Sequence, residues 1–101
     1  MKEIFYYKLS NGKYPYKEWY KNLDNSVKIK IDKRLEKLEE GHYGDYKRFD
    51  NIVELRFKQG YRIYFTEYEN IIVVLLCAGD KKTQKNDIKK AKEYMENLKG
   101  L

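Results

Sequence analysis

Val53-Glu54-Leu55-Arg56-Phe57-Lys58-Gln59-Gly60-Tyr61-Arg62-Ile63-Tyr64-Phe65 alternates apolar and polar residues on both sides of one glycine. Side chains along a strand point to opposite faces with period two. Val53, Leu55 and Phe57 therefore share one face of a strand, and Tyr61, Ile63 and Phe65 share the same face of the next. A three-residue loop, Lys58-Gln59-Gly60 with Gly60 left-handed, sets Phe57 against Tyr61, Arg56 against Arg62 and Glu54 against Tyr64. A two-residue loop would mix the faces. One face of the hairpin is thus predicted to enter a core and the other to carry Glu54, Arg56, Arg62 and Tyr64. Two arginines directly opposite one another repel unless a carboxylate or a bound anion lies between them. Glu54 and Glu67 are the candidate carboxylates.

Beyond this hairpin, Glu69-Asn70 turns the chain into Ile71-Ile72-Val73-Val74-Leu75-Leu76, whose lack of alternation predicts a central strand covered on both faces. Gly79-Asp80-Lys81-Lys82-Thr83 then leads into a helix capped by Thr83, with Ile88, Ala91, Met95 and Leu98 as its apolar stripe. A helix N-terminus carries unpaired N–H groups and partial positive charge, so Lys81 and Lys82 are expected beside an anion-favouring site.

Before the hairpin, Glu3 to Leu9 reads as a first strand, closed by the turn Ser10-Asn11-Gly12. Pro15 suits the first turn of a helix bearing Tyr16, Trp19, Tyr20 and Leu23. Asp24-Asn25-Ser26 ends that helix and caps the next, whose stripe is Val27, Ile31, Leu35 and Leu38, with Gly41 as its stop. The expected fold is α+β in the order βααβββα: a four-stranded, mostly antiparallel sheet with an N-terminal helical hairpin and a C-terminal helix.

A length of 101 residues allows one hydrophobic core, so a single domain spanning 1–101 is expected. Charged residues make up 38% and the mean hydropathy is −0.92, which implies a heavily solvated surface. The longest apolar run, Ile71 to Ala78, is far short of the roughly 20 residues of a membrane-spanning helix. The N-terminus lacks the apolar segment of a secretory signal, and a cytoplasmic protein is expected. Cys77, the lone cysteine, is expected as a small buried hydrophobe, and with a single histidine beside it no zinc site can be assembled from nitrogen and sulfur ligands. No metal or other cofactor is expected. The net charge of +6 favours nucleic acid or an acidic protein as partner.

Phosphodiester cleavage in RNA needs a base for the 2′-OH, stabilisation of the charged phosphorane, and an acid for the leaving 5′-oxygen. Arginine suits the second role, because its planar fork binds phosphate oxygens and keeps its charge. Without a histidine pair, proton transfer falls to Lys, Asp, Tyr or water. His42, in the Gly-bounded stretch Gly41-His42-Tyr43-Gly44, is expected as an idle loop residue, while Tyr64 is a candidate platform for a base.

The run Gly44-Asp45-Tyr46-Lys47, then Val53-Glu54-Leu55-Arg56, Gly60-Tyr61-Arg62-Ile63-Tyr64-Phe65, Leu75-Leu76, Gly79-Asp80-Lys81, Gln84, Asp87-Ile88 and Ala91 resembles the RelE/ParE toxin superfamily, nearest its HigB-like addiction module killer branch. That resemblance implies a bacterial type II toxin restrained by a cognate helix-turn-helix (HigA-like) antitoxin. It further implies a ribosome-dependent, metal-independent mRNA endoribonuclease whose partners are the ribosome and mRNA. By position, Arg62 matches the sheet arginine aimed at the scissile phosphate, Arg56 its neighbour in the Leu-Arg motif, and Lys81 or Lys82 the cation after the last strand. Lys82, Tyr64 and Lys47 complete the implied substrate-binding set. Departures from the pattern are Ile52 and Glu54 where relatives carry basic residues, and Asp87-Ile88 where relatives carry a Tyr or His acid or base. The resemblance also admits a ParE-like gyrase inhibitor that acts by binding, or a degenerate toxin that retains antitoxin binding alone. The antitoxin is expected to cover the Arg56/Arg62 face or to block ribosome entry.

Overall fold

The computed structural model describes residues 1–99, so the last two positions of the expected domain lie outside the described residues. Five strands form one sheet: β1 (Glu3–Tyr6), β2 (Tyr46–Phe49), β3 (Ile52–Arg56), β4 (Tyr61–Tyr68) and β5 (Ile72–Asp80). Their spatial order is β1-β5-β4-β3-β2, with β1 parallel to β5 and every other pair antiparallel. Helices α1 (Pro15–Tyr20) and α2 (Asn25–Glu39) follow β1. A 3-10 turn (Lys81–Thr83) leads from β5 into α3 (Gln84–Lys99).

The central hairpin has the register its sequence predicts: Arg56 opposite Arg62, Glu54 opposite Tyr64 and Leu55 opposite Ile63. Phe57 and Tyr61 close the loop through a 3.0 Å hydrogen bond, and Gly60 takes φ +97°, where a β-carbon would be strained. Leu55, Ile63, Phe65, Val73 and Leu75 face a core built with Tyr16 from α1 and Ile31, Leu35 and Leu38 from α2. The opposite face packs Ile52, Tyr64, Val74, Leu76 and Cys77 against Ala91 and Met95 of α3.

Three expectations are corrected. The sheet has five strands instead of four, because β2 pairs with β3 through a tight turn at Asp50, whose φ is +52°. That strand is a short, largely exposed edge, so it carries no apolar alternation to announce it. The two N-terminal helices are not a matched antiparallel hairpin: α1 has only six residues against fifteen in α2. Their apolar stripes both turn toward the sheet instead of toward each other. The first strand ends at Tyr6, not Leu9.

The apolar run in β5 hides a bulge. Tyr64 pairs with Cys77 and Phe65 with Leu75, which leaves Leu76 as an extra residue. Leu76 and Cys77 therefore both enter the α3-side core, and the alternation changes phase. Ala78 turns to the α1/α2 side and Gly79 comes to lie opposite Arg62.

Candidate functional site

Glu54 is the centre of the polar face. Its side chain is fully buried, and its carboxylate accepts four hydrogen bonds. Oε1 accepts from Arg56 Nε at 2.7 Å and Arg62 Nη1 at 3.3 Å. Oε2 accepts from the Tyr64 hydroxyl and from Gln84 Nε2, each at 2.9 Å. Burial alone would push this carboxyl up, but the hydrogen bonds from Arg56, Gln84 and Tyr64, with the charge of Arg62, outweigh it and hold the group below its ordinary range. Glu54 is thus a fixed anion between two opposed cations. Glu67, the other candidate, is engaged elsewhere by Lys2, Tyr43 and Arg48.

Each arginine donates to Glu54 through one nitrogen, and its other nitrogens have no side-chain partner among the described residues. Arg56 is 32% exposed and Arg62 11%, and the Nε of Arg62 is buried without a partner among those residues. Lys81 stands at the same end of the sheet, since its side chain passes 3.8 Å from where a β-carbon on Gly60 would lie. Lys82 is exposed on the same turn. Lys47 lies opposite Glu54 on β2, hence on the same face, with Nζ 4.9 Å from the centre of the Phe49 ring.

Two of the expected roles look different in three dimensions. The Tyr64 ring is completely buried, so it has no open face for a base; its hydroxyl orients Glu54 instead. At the turn after β5 the cap is Asp80, not Thr83. Its Oδ1 accepts from the N–H groups of Lys82 and Thr83, and the Thr83 hydroxyl accepts from the Asp80 N–H. The chain's own carboxylate thereby fills the position in which a helix N-terminus would hold an anion. His42 is exposed, and its N–H bonds to the Lys37 carbonyl, closing the end of α2 together with Gly41 at φ +93°.

Three contributors were not assigned a role from sequence. Gln84 opens α3 and reaches across to Glu54. Asp87, nearly buried, accepts from the Thr83 hydroxyl and fills the space beside Gly79. Burial raises its pKa, with Asp80 acting in the same direction. Arg34 donates to the carbonyls of Tyr43, Asp45 and Arg56, and its guanidinium lies 4.8 Å from the Phe57 ring centre. It ties the approach to β2 at Asp45 to Arg56, the last residue of β3. The only local sign of these roles is the presence of Gln84 and Asp87 among the residues that carry the resemblance.

The family described as phage derived protein Gp49-like (DUF891) matches residues 18–98, a span running from α1 through α3 and containing every residue of the site. The chain belongs to the Gp49-like family. This is a RelE/HigB-type toxin-like family of toxin–antitoxin systems, so the chain is of toxin type with an antitoxin as its implied partner. The Gp49-like chain is also similar to an uncharacterized protein of Haemophilus influenzae. The two are 44% identical over 84 residues, which cover 79% of this chain and 85% of that protein. No helix among the described residues is long and apolar enough to cross a membrane.

Proposed function

We propose that the Gp49-like chain is the toxin of a type II system and cuts mRNA on the ribosome as a metal-independent endoribonuclease of the HigB kind. The observation that carries this reading is the opposed pair Arg56 and Arg62, held by one buried carboxylate with guanidinium nitrogens to spare. A phosphate arriving at this end of the sheet meets two forks already oriented, because Glu54 fixes Arg56 through Nε and Arg62 through Nη1. Arg62 contacts the non-bridging oxygens, Arg56 shares the charge, and Lys81 approaches from the turn after β5. As the 2′-oxygen attacks and the 5′-oxygen leaves, charge builds on the phosphorane within reach of these cations. Lys82 and Lys47 flank the path of the strand. The restraining partner is a HigA-like helix-turn-helix antitoxin, acting in the cytoplasm.

A second reading, a ParE-like gyrase inhibitor that acts by binding, is favoured by one feature: the carboxyl that holds the two arginines, Glu54, and the phenol that holds that carboxyl, Tyr64, are both fully buried. Primer extension on a reporter mRNA in a translating bacterial extract separates the two. Cuts that require both ribosomes and Arg62, and vanish with Arg62→Ala, support the nuclease. Intact mRNA at doses that arrest growth overturns it in favour of gyrase.

A further inference from the structure

On the face of the sheet that carries Glu54, α3 lies over β4 and β5 and leaves β3 and β2 beside it. Two adjoining hollows share Lys92 along that flank. One, of about 330 Å³, is bordered by Lys85, Ile88 and Lys89; the other, of about 310 Å³, lies against the β2–β3 turn at Phe49, Asp50 and Asn51. Each is near the lower limit for small-ligand sites, about 300 Å³. Both hollows of this trough border residues next to those that hold the arginine pair: Gln84, bonded to Glu54, immediately precedes Lys85, and Ile52 lies two residues before Glu54 on the same face of β3.

The two hollows differ in chemistry. The first presents ammonium groups on one flank of a helix, Lys85, Lys89 and Lys92 at steps of four and three residues, so they rise by roughly 6 and 4.5 Å. Lys85 and Lys89 are exposed, and neither has a carboxylate within 4 Å among the described residues. The second presents an aromatic ring, Phe49, with the carboxylate of Asp50 and the amide of Asn51. That carboxylate repels a phosphate but accepts hydrogen bonds from an exocyclic amino group.

We propose that this trough is a subsite for a nucleotide flanking the phosphate held at Arg56 and Arg62, an inference that rests on the nuclease reading. The sugar-phosphate backbone runs along Lys85, Lys89 and Lys92, while the base enters the hollow at Phe49. The acceptors there favour bases that carry an amino group (adenine, cytosine, guanine) over uracil, which has none.

The test is fluorescence anisotropy of 2′-O-methylated, hence uncleavable, single-stranded RNA hexamers with the full-length protein at two salt concentrations. Lys85→Glu/Lys89→Glu is expected to weaken binding by about tenfold or more and to flatten the salt dependence. Phe49→Ala and Asp50→Asn are expected to erase the discrimination against uracil-only hexamers, while Lys30→Glu/Lys33→Glu on α2 leaves binding unchanged. Circular dichroism melts establish that each variant is folded. The subsite is overturned if the unaltered protein binds no hexamer at low salt, if the α3 variant binds as well as the parent, or if the α2 variant loses as much. Arg62-dependent cleavage with a trough indifferent to substitution would keep the nuclease and remove the subsite. Trough-dependent binding without cleavage would keep the subsite and remove the nuclease.

Discussion

Arg56 and Arg62 face one another across β3 and β4 and donate to the same oxygen, Oε1 of Glu54, at 2.7 and 3.3 Å. Like charges opposed on a sheet cost stability on their own, so the pair depends on the carboxylate between them.

Removing that carboxylate is expected to be severe. Glu54→Leu leaves a largely buried Arg62 uncompensated, and a loss of about 3–5 kcal/mol is expected in urea denaturation. Glu54→Gln keeps an acceptor and costs less, about 1–3 kcal/mol. Because Glu54 titrates below its ordinary range in the fold, its contribution is present above that range and lost as pH falls through the lowered value. The parent protein should therefore lose stability in acid more steeply than Glu54→Gln. Parallel acid profiles would remove Glu54 as the cause.

Asp87 titrates in the opposite sense. Its raised pKa means that the fold disfavours the ionised form, so its contribution is full below the ordinary carboxylate pKa and lost as pH rises through the raised one. Asp87→Asn, which retains an acceptor for the Thr83 hydroxyl, is expected to melt higher than the parent at pH 7 and equally at pH 3. A lower melting temperature at pH 7 would contradict this.

Gly79 has no room for a side chain. A β-carbon there would stand 1.9 Å from Asp87 Oδ2 and 2.5 Å from Thr83 Oγ1, the two groups that seat the start of α3. Gly79→Ala is expected to cost about 1–3 kcal/mol and to displace Lys81 and Lys82. Calorimetry measures the first effect, and, on the proposed nuclease function, weakened RNA cutting beyond what the folded fraction explains would report the second.

Arg34 holds the carbonyls of Tyr43, Asp45 and Arg56 through its guanidinium. Arg34→Lys keeps the charge but not the fork, and a loss of about 2 kcal/mol is expected. Amide hydrogen exchange at β2 should accelerate before that at β5. Uniform acceleration across the sheet would instead indicate a global effect.

Cys77 is buried in the α3-side core, and burial, with the charge of Asp87, pushes its thiol up to about 12. A thiol-specific disulfide reagent at pH 8 is expected to react only at the rate of unfolding, and at once in denaturant. Immediate reaction with the folded protein would place the thiol at the surface.

Much of this architecture is written locally. Period-two alternation and Gly60 determine the hairpin register that opposes Arg56 to Arg62, because strand faces and turn geometry are properties of neighbouring residues. The stripe Ile31, Leu35 and Leu38 and the stop at Gly41 determine α2 for the same reason. β2 is not legible in this way, since an exposed edge strand has little apolar pattern to show. The bulge at Leu76 was equally silent: in a strand buried on both faces, an extra residue changes no hydrophobicity.

The sequence by itself determined that two arginines would oppose one another on the polar face of a hairpin. Which anion would sit between them was decided only by the tertiary structure. Gln84 reaches Glu54 from 30 positions away, and Gly79 arrives opposite Arg62 only through the phase change at Leu76. Asp87 and Arg34 acquire their roles in the same way, through the packing of α3 and α2 on opposite faces of the sheet. Strand pattern and turn chemistry act between near neighbours and are legible along the chain, whereas a buried carboxylate's hydrogen bonds depend on distances that exist only after the layers have closed.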